Sequence, residues 1–232
     1  MIVGAESAIN ASLEGAAFNP AADYNGAASL QITTSLTAGL QGWYTFGNAG
    51  DVGNDDSPSG LNDAAVNGAT PIVDGGRGDV LSFDGNDNLR ITGMFGNPTD
   101  LTLSGWVNHT GLAGDMVSLG DNAAIRLDEP GRGVTGFFFD GSTWRHTASN
   151  SYISGTGWHH IAYSLEASGN RQTLYIDGVE VAATTHVQSV SYALGTDTYL
   201  GRNGDVPTWH LTGSLDDVRV YDRALTTGEI TA

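Results

Sequence analysis

Short runs in which apolar and polar residues alternate dominate the chain from Gly39 onward, and Gly, Asn and Asp separate them. A period of two is typical of strands with one buried and one solvated face. Helical periodicity is nearly absent; only the last residues offer a helix start, with Thr226 as N-cap and Glu229 at N3. The pattern predicts an all-β, antiparallel sandwich. The predicted strands are Gly42–Gly47, Val80–Phe83, Asn88–Thr92, Leu101–Asn108, Asp115–Leu119, Ala123–Leu127, Val134–Phe139, Arg145–Ala148, Trp158–Leu165, Arg171–Ile176, Val179–Thr184, Tyr199–Arg202 and Ser214–Tyr221.

The first 36 residues have a different pattern. Pro20 and Asn25-Gly26 punctuate turns, and alternating Ala28, Leu30 and Ile32 predict one strand. The run Phe18–Gly26 (FNPAADYNG) resembles the closing half of cadherin-like repeats in large bacterial surface adhesins. We therefore expect a cadherin-like repeat fragment at 1–36 and a main domain at 37–232. Whether the fragment needs a missing partner segment or packs on the main domain stays open at this point.

Composition narrows the function classes. The chain has 20 Asp and 6 Glu against nine Arg and no Lys, a formal net charge of −17. Such a surface repels phosphate backbones, so nucleic acid and anionic membranes are not expected as partners. There is no Cys, which excludes disulfides, thiolate zinc sites and cysteine nucleophiles. No apolar run approaches a membrane span, and Met1–Asn10 lacks the pattern of a signal peptide, so we expect a piece of a longer protein.

Six segments carry a family resemblance. In chain order they are Gly42–Phe46 (GWYTF), Leu81–Gly85 (LSFDG), Leu101–Val107 (LTLSGWV), Trp158–Ala162 (WHHIA), Leu174–Gly178 (LYIDG) and Gly213–Leu225 (GSLDDVRVYDRAL). In this order and spacing they resemble a laminin-G-like domain of the concanavalin A-like lectin/glucanase superfamily. The resemblance implies a jelly-roll sandwich in which a C-terminal strand returns beside the N-terminal one.

The resemblance also implies a structural calcium ion between an acidic loop and the last strand. The loop offers Asp51, Asp55 and Asp56, and the strand offers Asp216 and Asp217. Strict alternation would place Asp216 on the face of Val218 and Val220, where a carboxylate is costly unless it is paired or binds metal. Calcium prefers such hard oxygen ligands. The alternatives are that this Asp caps a turn or pairs with an Arg.

Motifs of other chemistry are absent or incomplete. Gly131–Gly136 matches G-x-G-x-x-G, but the strand run Phe137–Phe139 follows instead of a helix, so no pyrophosphate site is expected. The cluster Asp84–Asn88 joins two alternating runs, which favours a hairpin turn over a second metal site. Glucanases of the superfamily need an acid and a nucleophile on one strand face, and none of the six Glu has such a partner. We expect a protein that is not an enzyme.

Loops with aromatic, Arg, Asn and Asp residues suit sugars, because rings stack on the apolar pyranose face while polar groups bind hydroxyls. We expect Trp43, Trp106 and Trp158 in the core, and Trp144 and Trp209 at the ligand. The predicted ligand-binding residues are Asp121, Asn122, Arg126, Trp144, Arg145, Arg202, Asn203, Asp205, Trp209 and His210, with His146 in the same loop as Trp144.

The sequence thus indicates a calcium-stabilised lectin module of an extracellular bacterial surface adhesin, with glycans and flanking adhesin domains as partners. The alternative is a structural or protein-binding extender domain without sugar affinity.

Overall fold

The computed structural model describes residues 37–48 and 50–231. The chain divides into two compact units, Met1–Ala38 and Gly39–Ala232. The expected cadherin-like fragment at residues 1–36 lies outside the described residues. Over the described ranges, no helix is long and apolar enough to cross a membrane.

The second unit contains two antiparallel sheets, which we name sheet A and sheet B. Sheet A has the order β13-β12-β11-β6-β15-β4-β3, with β1 also paired to β15, and sheet B has the order β10-β9-β8-β7-β14-β5-β2. The elements are β1 Leu40–Tyr44, β2 Ala64–Asn67, β3 Thr70–Asp74, β4 Gly78–Asp84, β5 Asn88–Ile91, β6 Leu101–His109, β7 Gly114–Leu119, β8 Ala123–Glu129, β9 Gly133–Phe139, β10 Trp144–Ala148, β11 Trp158–Glu166, β12 Arg171–Ile176, β13 Val179–Thr185, β14 Thr198–Leu200, β15 Thr212–Tyr221 and α1 Thr227–Ile230.

The long strand β15 joins the two ends of the domain. Its first half pairs with β4, with Leu215 opposite Leu81, and its second half pairs with β1, with Val218 opposite Tyr44. The two-sheet sandwich and the return of the C-terminal strand beside the N-terminal one are confirmed. The weakly patterned, mostly exposed strands β2 and β3 escaped the sequence prediction. The cluster Asp84–Asn88 is a turn as expected, but it leads from sheet A to sheet B and is no hairpin.

The core lies between the sheets and follows the alternation along each strand. Leu103 and Val107 of β6 and Ile125 and Leu127 of β8 are fully buried within it. Gly136 of β9 is required there because a Cβ atom would lie 2.1 Å from a ring carbon of Tyr163. Any larger residue would push the sheets apart, since packed interiors tolerate little extra volume.

The outer face of sheet A carries a second, smaller apolar cluster beneath α1. Leu225 and Ile230 pack there against Tyr175 and Tyr221. The predicted helix start is confirmed: Thr226 accepts from the N–H of Glu229, whose carboxylate bonds back to the Thr226 N–H. This capping box fixes the C-terminal turn on the sheet.

The expectation of Trp43, Trp106 and Trp158 in the core is wrong. Each is half-buried on the outer face of sheet A. Tyr44 follows Trp43 and Val107 follows Trp106, and both face the core. Ile161, three residues after Trp158, also faces the core, so alternation places Trp158 on the outer face as well. We name these three tryptophans, with Arg77 and Arg219 between them, the sheet A layer. Alternation separates the two faces of a strand, but with apolar residues on both faces it does not tell which one is inside.

Candidate functional site

The predicted sugar site falls largely on the outer face of sheet B. Asp121 lies in the turn between β7 and β8, Arg126 in β8, Trp144 in β10, and Asn203 and Trp209 in the loop between β14 and β15. These segments are far apart in sequence, and contacts between their side chains bring them together. We name this group, with the residues beneath it, the sheet B site.

The foundation of the site is an ion pair between Arg126 and Asp115. Arg126 Nε and Nη2 donate to the two carboxylate oxygens of Asp115 at 2.5 and 3.0 Å. Asp115 has no exposed surface, and burial raises its pKa to about 7 although the guanidinium opposes this shift. Above the pair, the Arg126 guanidinium carbon lies 4.2 Å from the centroid of the Trp209 ring and 4.9 Å from that of Phe137. Trp209 therefore rests on a fixed cation, a cation–π contact.

Asp121 ties the two exposed tryptophans into one network. Its Oδ1 accepts from Asn203 Nδ2 at 2.6 Å, and its backbone carbonyl accepts from Trp144 Nε1 at 3.3 Å. The same Oδ1 lies 3.8 Å from Nη2 of Arg126, whose guanidinium lies against the Trp209 ring. Burial raises the pKa of Asp121 to about 6. Trp144 and Trp209 remain 41% and 38% exposed, so two indole rings face solvent from one connected support.

The loop that carries Trp209 is held by its own hydrogen bonds. Asn203 Oδ1 accepts from the N–H groups of Asp205 and Val206, and the Leu211 N–H donates to the carbonyl of Gly201. Trp209 has φ +52° and accepts at its carbonyl from the N–H of Asp115 at 2.7 Å. A left-handed backbone is unfavourable for a large side chain and persists only where the surroundings impose it. The ring is therefore presented in a fixed orientation.

Sequence reasoning missed Asp115, Glu129 and Phe137 as parts of this site. Glu129 Oε1 accepts from Arg132 Nη1 at 2.6 Å, while its Oε2 is buried without a hydrogen-bond partner 3.8 Å from Nδ1 of His146. That imidazole nitrogen also lacks a partner, and burial lowers the His146 pKa. Such unsatisfied buried atoms are costly and mark places where a water or a ligand group is accommodated. No local motif signals Asp115 and Phe137, because only strand pairing sets them beside Arg126.

Two of the predicted ligand residues serve the scaffold. Asn122 is fully buried and clamps the turn to Leu194, accepting the Leu194 N–H at 2.8 Å and donating to the Leu194 carbonyl. Arg145 lies on the opposite side of β10 from Trp144 and pairs with Asp140 at 2.6 Å. Neither side chain joins the network around Trp209: Asn122 is turned inward by its bonds to Leu194, and Arg145 is on the other face of its strand because alternate strand positions point to opposite faces.

The remaining predicted residues lie in the same loop as Trp209, between β14 and β15. Asp205 is exposed, and His210 is half-buried with a partnerless Nδ1. Arg202 stacks over Tyr199, with the guanidinium carbon 3.6 Å from the ring centroid. Within the described residues, Arg202 forms no ion pair.

The five predicted calcium ligands do not converge. Among the described residues no three His, Cys, Asp or Glu side chains are placed to hold a metal ion. Asp55 accepts the N–H groups of Trp43, Ser57 and Asn62 at 3.0–3.1 Å, and Asp56 accepts from the Thr45 hydroxyl. These oxygens already organise the loop, so the residues as arranged do not fit a shared calcium ion. Asp51 is exposed.

The alternative of an Asp–Arg pair describes Asp216. A β-bulge interrupts the register between Asp216 and Arg219, and Asp217 takes φ +52°. The bulge shifts the alternation, so Asp216 lies beside Trp106 on the outer face of sheet A and not with Val218. There it pairs with Arg77 at 2.7 Å, and Asp217 accepts from the Trp43 indole N–H and pairs with Arg219.

Comparison with known proteins gives the family. A model described as the concanavalin A-like lectin/glucanases superfamily (Laminin_G_3) matches residues 76–231. No match is found among curated proteins. Domain 4 of AbnA, an extracellular GH43 arabinanase from Geobacillus stearothermophilus solved with arabinotriose, is similar in structure, with TM-score 0.67 and 22% identity over 84% of this chain and 97% of that one.

Two toxin structures are similar over shorter parts of their length. The binding domain of Paraclostridial Mosquitocidal Protein 1 gives TM-score 0.66 at 18% identity, over 85% of this chain and 52% of that one. The binding domain of Botulinum Neurotoxin DC, solved with SialylT, gives 0.64 at 10% identity, over 85% and 51%. At these identities the likeness concerns the fold. With the family model matching most of its length, the chain belongs to the laminin-G-like family of concanavalin A-like lectin/glucanase domains.

Proposed function

We propose that this domain is a non-catalytic carbohydrate-binding module whose ligand lies on the sheet B site. The observation that carries the proposal is the pair of exposed indoles, Trp144 and Trp209, which Asp121 connects through a hydrogen bond to Trp144 and an ion pair with Arg126 beneath Trp209. Indole rings offer large apolar faces at low entropic cost because the support holds them before binding. Fold relatives solved with arabinotriose and SialylT agree with a sugar ligand.

In this arrangement the aromatic rings contact the apolar face of the sugar, and the polar groups bind its hydroxyls. The Trp209 ring has Arg126 on one side and solvent access on the other, so its free surface suits the apolar face of a sugar ring. Hydroxyls then meet acceptors at the rim, such as the exposed Asp205 carboxylate. Aromatic stacking with a few placed polar groups is the usual composition of small-ligand sites.

The state of the carboxylates supports a non-catalytic role. A retaining glycosidase needs two available carboxyl groups about 5–5.5 Å apart. Asp115 uses both oxygens for Arg126 and has no exposed surface, and Asp121 is bonded to Asn203. We infer that these groups support the ring platform. Reducing ends released from any of a panel of polysaccharides by the wild-type domain, and not by Asp115→Asn, would contradict this part of the proposal.

The binding proposal is tested with a glycan array followed by titration calorimetry on the best ligand. We expect Trp209→Ala to weaken binding at least tenfold and Trp144→Ala to weaken it less, because Trp209 lies nearer the Arg126 pair. Trp158→Ala, in the sheet A layer, is the matched control and should keep wild-type affinity. No binding across the array, or equal losses in all three variants, would refute the site.

The wider context is also a proposal. The run Phe18–Gly26 supports placement in an extracellular bacterial adhesin with flanking domains. Localisation of the full-length protein on intact cells with an antibody against this domain tests that placement. A domain that binds no glycan but is surface-exposed would instead fit the extender role.

A further inference from the structure

Arg202 differs from every other arginine of the protein. Eight of the nine arginines, all of them described by the structure, form an ion pair with an Asp or Glu side chain. Arg202 has none, although the chain carries 26 acidic residues. In so acidic a protein a free guanidinium is the exception, and Arg202 stands in the loop that also presents Trp209.

The position of Arg202 is fixed without a carboxylate. Its guanidinium carbon lies 3.6 Å from the centroid of the Tyr199 ring, so the planar group stacks on the ring and its N–H edge stays free. Asn203, the next residue, is buried and bonded to Asp121. Stacking thus orders the donor fork before any ligand arrives, which lowers the entropic cost of binding.

The surroundings of Tyr199 favour an anion. Arg90 lies directly across the strand pair from Tyr199, and Asp197 balances only that one arginine. Asp205, the nearest acidic residue along the loop, is exposed and forms no ion pair with Arg202. The guanidinium groups of Arg90 and Arg202 therefore share this region with one carboxylate, that of Asp197, which already pairs with Arg90. The distant acidic residues act weakly here because the Debye length is about 8 Å at physiological ionic strength.

The cationic spot is continuous with the sheet B site. Tyr199 lies opposite Ser118, and Ser118 opposite Ala124, two residues before Arg126. Two strand spacings and two residues along a strand separate Tyr199 from Arg126 by roughly 12 Å. A ligand that covers Trp209 and reaches Arg202 must therefore be an oligosaccharide and not a single sugar.

We infer that Arg202 binds an oxyanion, a carboxylate or a sulfate ester, on the glycan, so that the module selects acidic oligosaccharides. The inference rests on the proposed function, because it needs a sugar on the Trp209 platform. Arginine binds a carboxylate, or two oxygens of a tetrahedral oxyanion, through two parallel N–H···O bonds. No bond is made or broken in this recognition.

Calorimetry with matched pairs tests the inference: trigalacturonate against its methyl ester, and a sulfated galactan oligosaccharide against its desulfated form. We expect one acidic member to bind about ten- to hundredfold tighter than its neutral partner, in line with a charge-assisted hydrogen-bonded pair. Arg202→Gln should abolish this preference by lowering the affinity for the acidic member to about that for the neutral one, and Arg202→Lys should restore part of it. Arg171→Gln, which removes the same charge from an arginine paired with Glu180 in sheet A, is the control and should keep the preference.

The outcomes separate the two proposals. Equal affinity for both members of each pair, or a preference that survives Arg202→Gln, overturns this inference alone. Failure of the wild-type domain to bind either member of either pair, or any glycan on the array, overturns this inference together with the proposed function. The pair that shows the preference identifies carboxylate or sulfate as the anion.

Discussion

The two outer faces of the sandwich both combine tryptophan with arginine, and they differ in what surrounds the rings. In the sheet A layer, Arg77 lies 4.2 Å from the Trp106 ring and 5.4 Å from the Trp158 ring, and it pairs with Asp216. In the sheet B site, Arg126 lies beneath Trp209 and its charge is balanced by a fully buried Asp115. The first arrangement fills the space between rings, and the second supports a ring from below.

We interpret this difference as that between a structural layer and the proposed binding surface. The indole N–H groups of Trp43 and Trp158 already bond to Asp217 and Asp74 in sheet A. In sheet B the rings stay more exposed, and three buried polar atoms of Glu129, His146 and His210 lack partners, against one in the sheet A layer, Arg219 Nε. Counting aromatic residues would not distinguish the two faces; the location of the charges does.

The largest effect should come from removing the arginine of each face. Arg126→Met leaves Asp115 buried without its partner, and we expect a loss of about 3–5 kcal/mol in the free energy of unfolding. Arg77→Met removes a partly exposed ion pair and the contacts of the guanidinium with two rings, and should cost about 1–2 kcal/mol. Urea unfolding at pH 8 measures both values.

A pH series sharpens this test. Burial raises the folded-state pKa of Asp115 above its unfolded value, so the folded state binds the proton more readily. The stability deficit of Arg126→Met should therefore shrink as the pH falls from 8 to 5. Burial also raises the pKa of Asp216, the partner of Arg77, but Asp216 is less completely buried, so the deficit of Arg77→Met should shrink less. Equal losses in the two variants at pH 8 would remove the distinction between the faces.

The second effect concerns the rings themselves. Trp106→Ala deletes a half-buried ring that packs on His160 and Arg77, and we expect a loss of about 2–3 kcal/mol. Trp209→Gly should cost less than about 1 kcal/mol, because glycine relieves the left-handed backbone at φ +52° and offsets the lost contact with Arg126. Thermal melts give the stabilities, and a sugar titration should show the reverse order of losses. A glycine variant less stable than Trp106→Ala would argue that Trp209 is structural.

A smaller effect comes from the histidine on each face. His160 packs on Trp106 and His146 on Phe137, and burial lowers the pKa of both. A lowered folded-state pKa means that the unfolded chain binds more protons below about pH 6.5, so stability is lost as the pH falls through that range. His160→Gln and His146→Gln should each reduce this acid destabilisation by up to about 1 kcal/mol between pH 7 and 5. If the denaturation midpoints of both variants fall with pH as steeply as those of the wild type, these two histidines are not a source of the acid destabilisation.

The smallest expected effect is that of calcium. Asp216 and Asp217 pair with arginines in the sheet A layer, and Asp55 is bonded to backbone N–H groups, so we expect equal melting temperatures in excess calcium and in chelator. Differential scanning calorimetry measures the two melting temperatures. A rise of several degrees in calcium that Asp216→Asn abolishes would instead restore the sequence-based prediction of a calcium-stabilised domain, since a ligand that binds only the folded state raises its stability.

Much of the fold could be predicted from the sequence because strand alternation is a local property. The runs around Leu103, Ile125 and Val220 gave the strands, and the motif at Gly213–Leu225 indicated the superfamily and its returning strand. Trp144 and Trp209 were identifiable as exposed because Gly-, Asn- and Thr-rich segments surround them. These inferences depend on neighbours along the chain.

The tertiary structure alone decided what depends on pairing. Trp106 had an apolar neighbourhood on both strand faces, and only the packing of two sheets made Val107 the inner residue. The bulge at Asp217 shifted the face of Asp216 by one position, which set this predicted calcium ligand beside Arg77.

The alternation of apolar and polar residues therefore determined by itself that this chain forms an antiparallel sandwich. It could not set Asp115 beside Arg126, since that neighbour relation arises from the register of two strands. Nor could it show that Arg202 is the arginine without a carboxylate. Charge balance at a site is a sum over residues distant in sequence, and folding alone brings them within the few ångströms over which hydrogen bonds and ion pairs act.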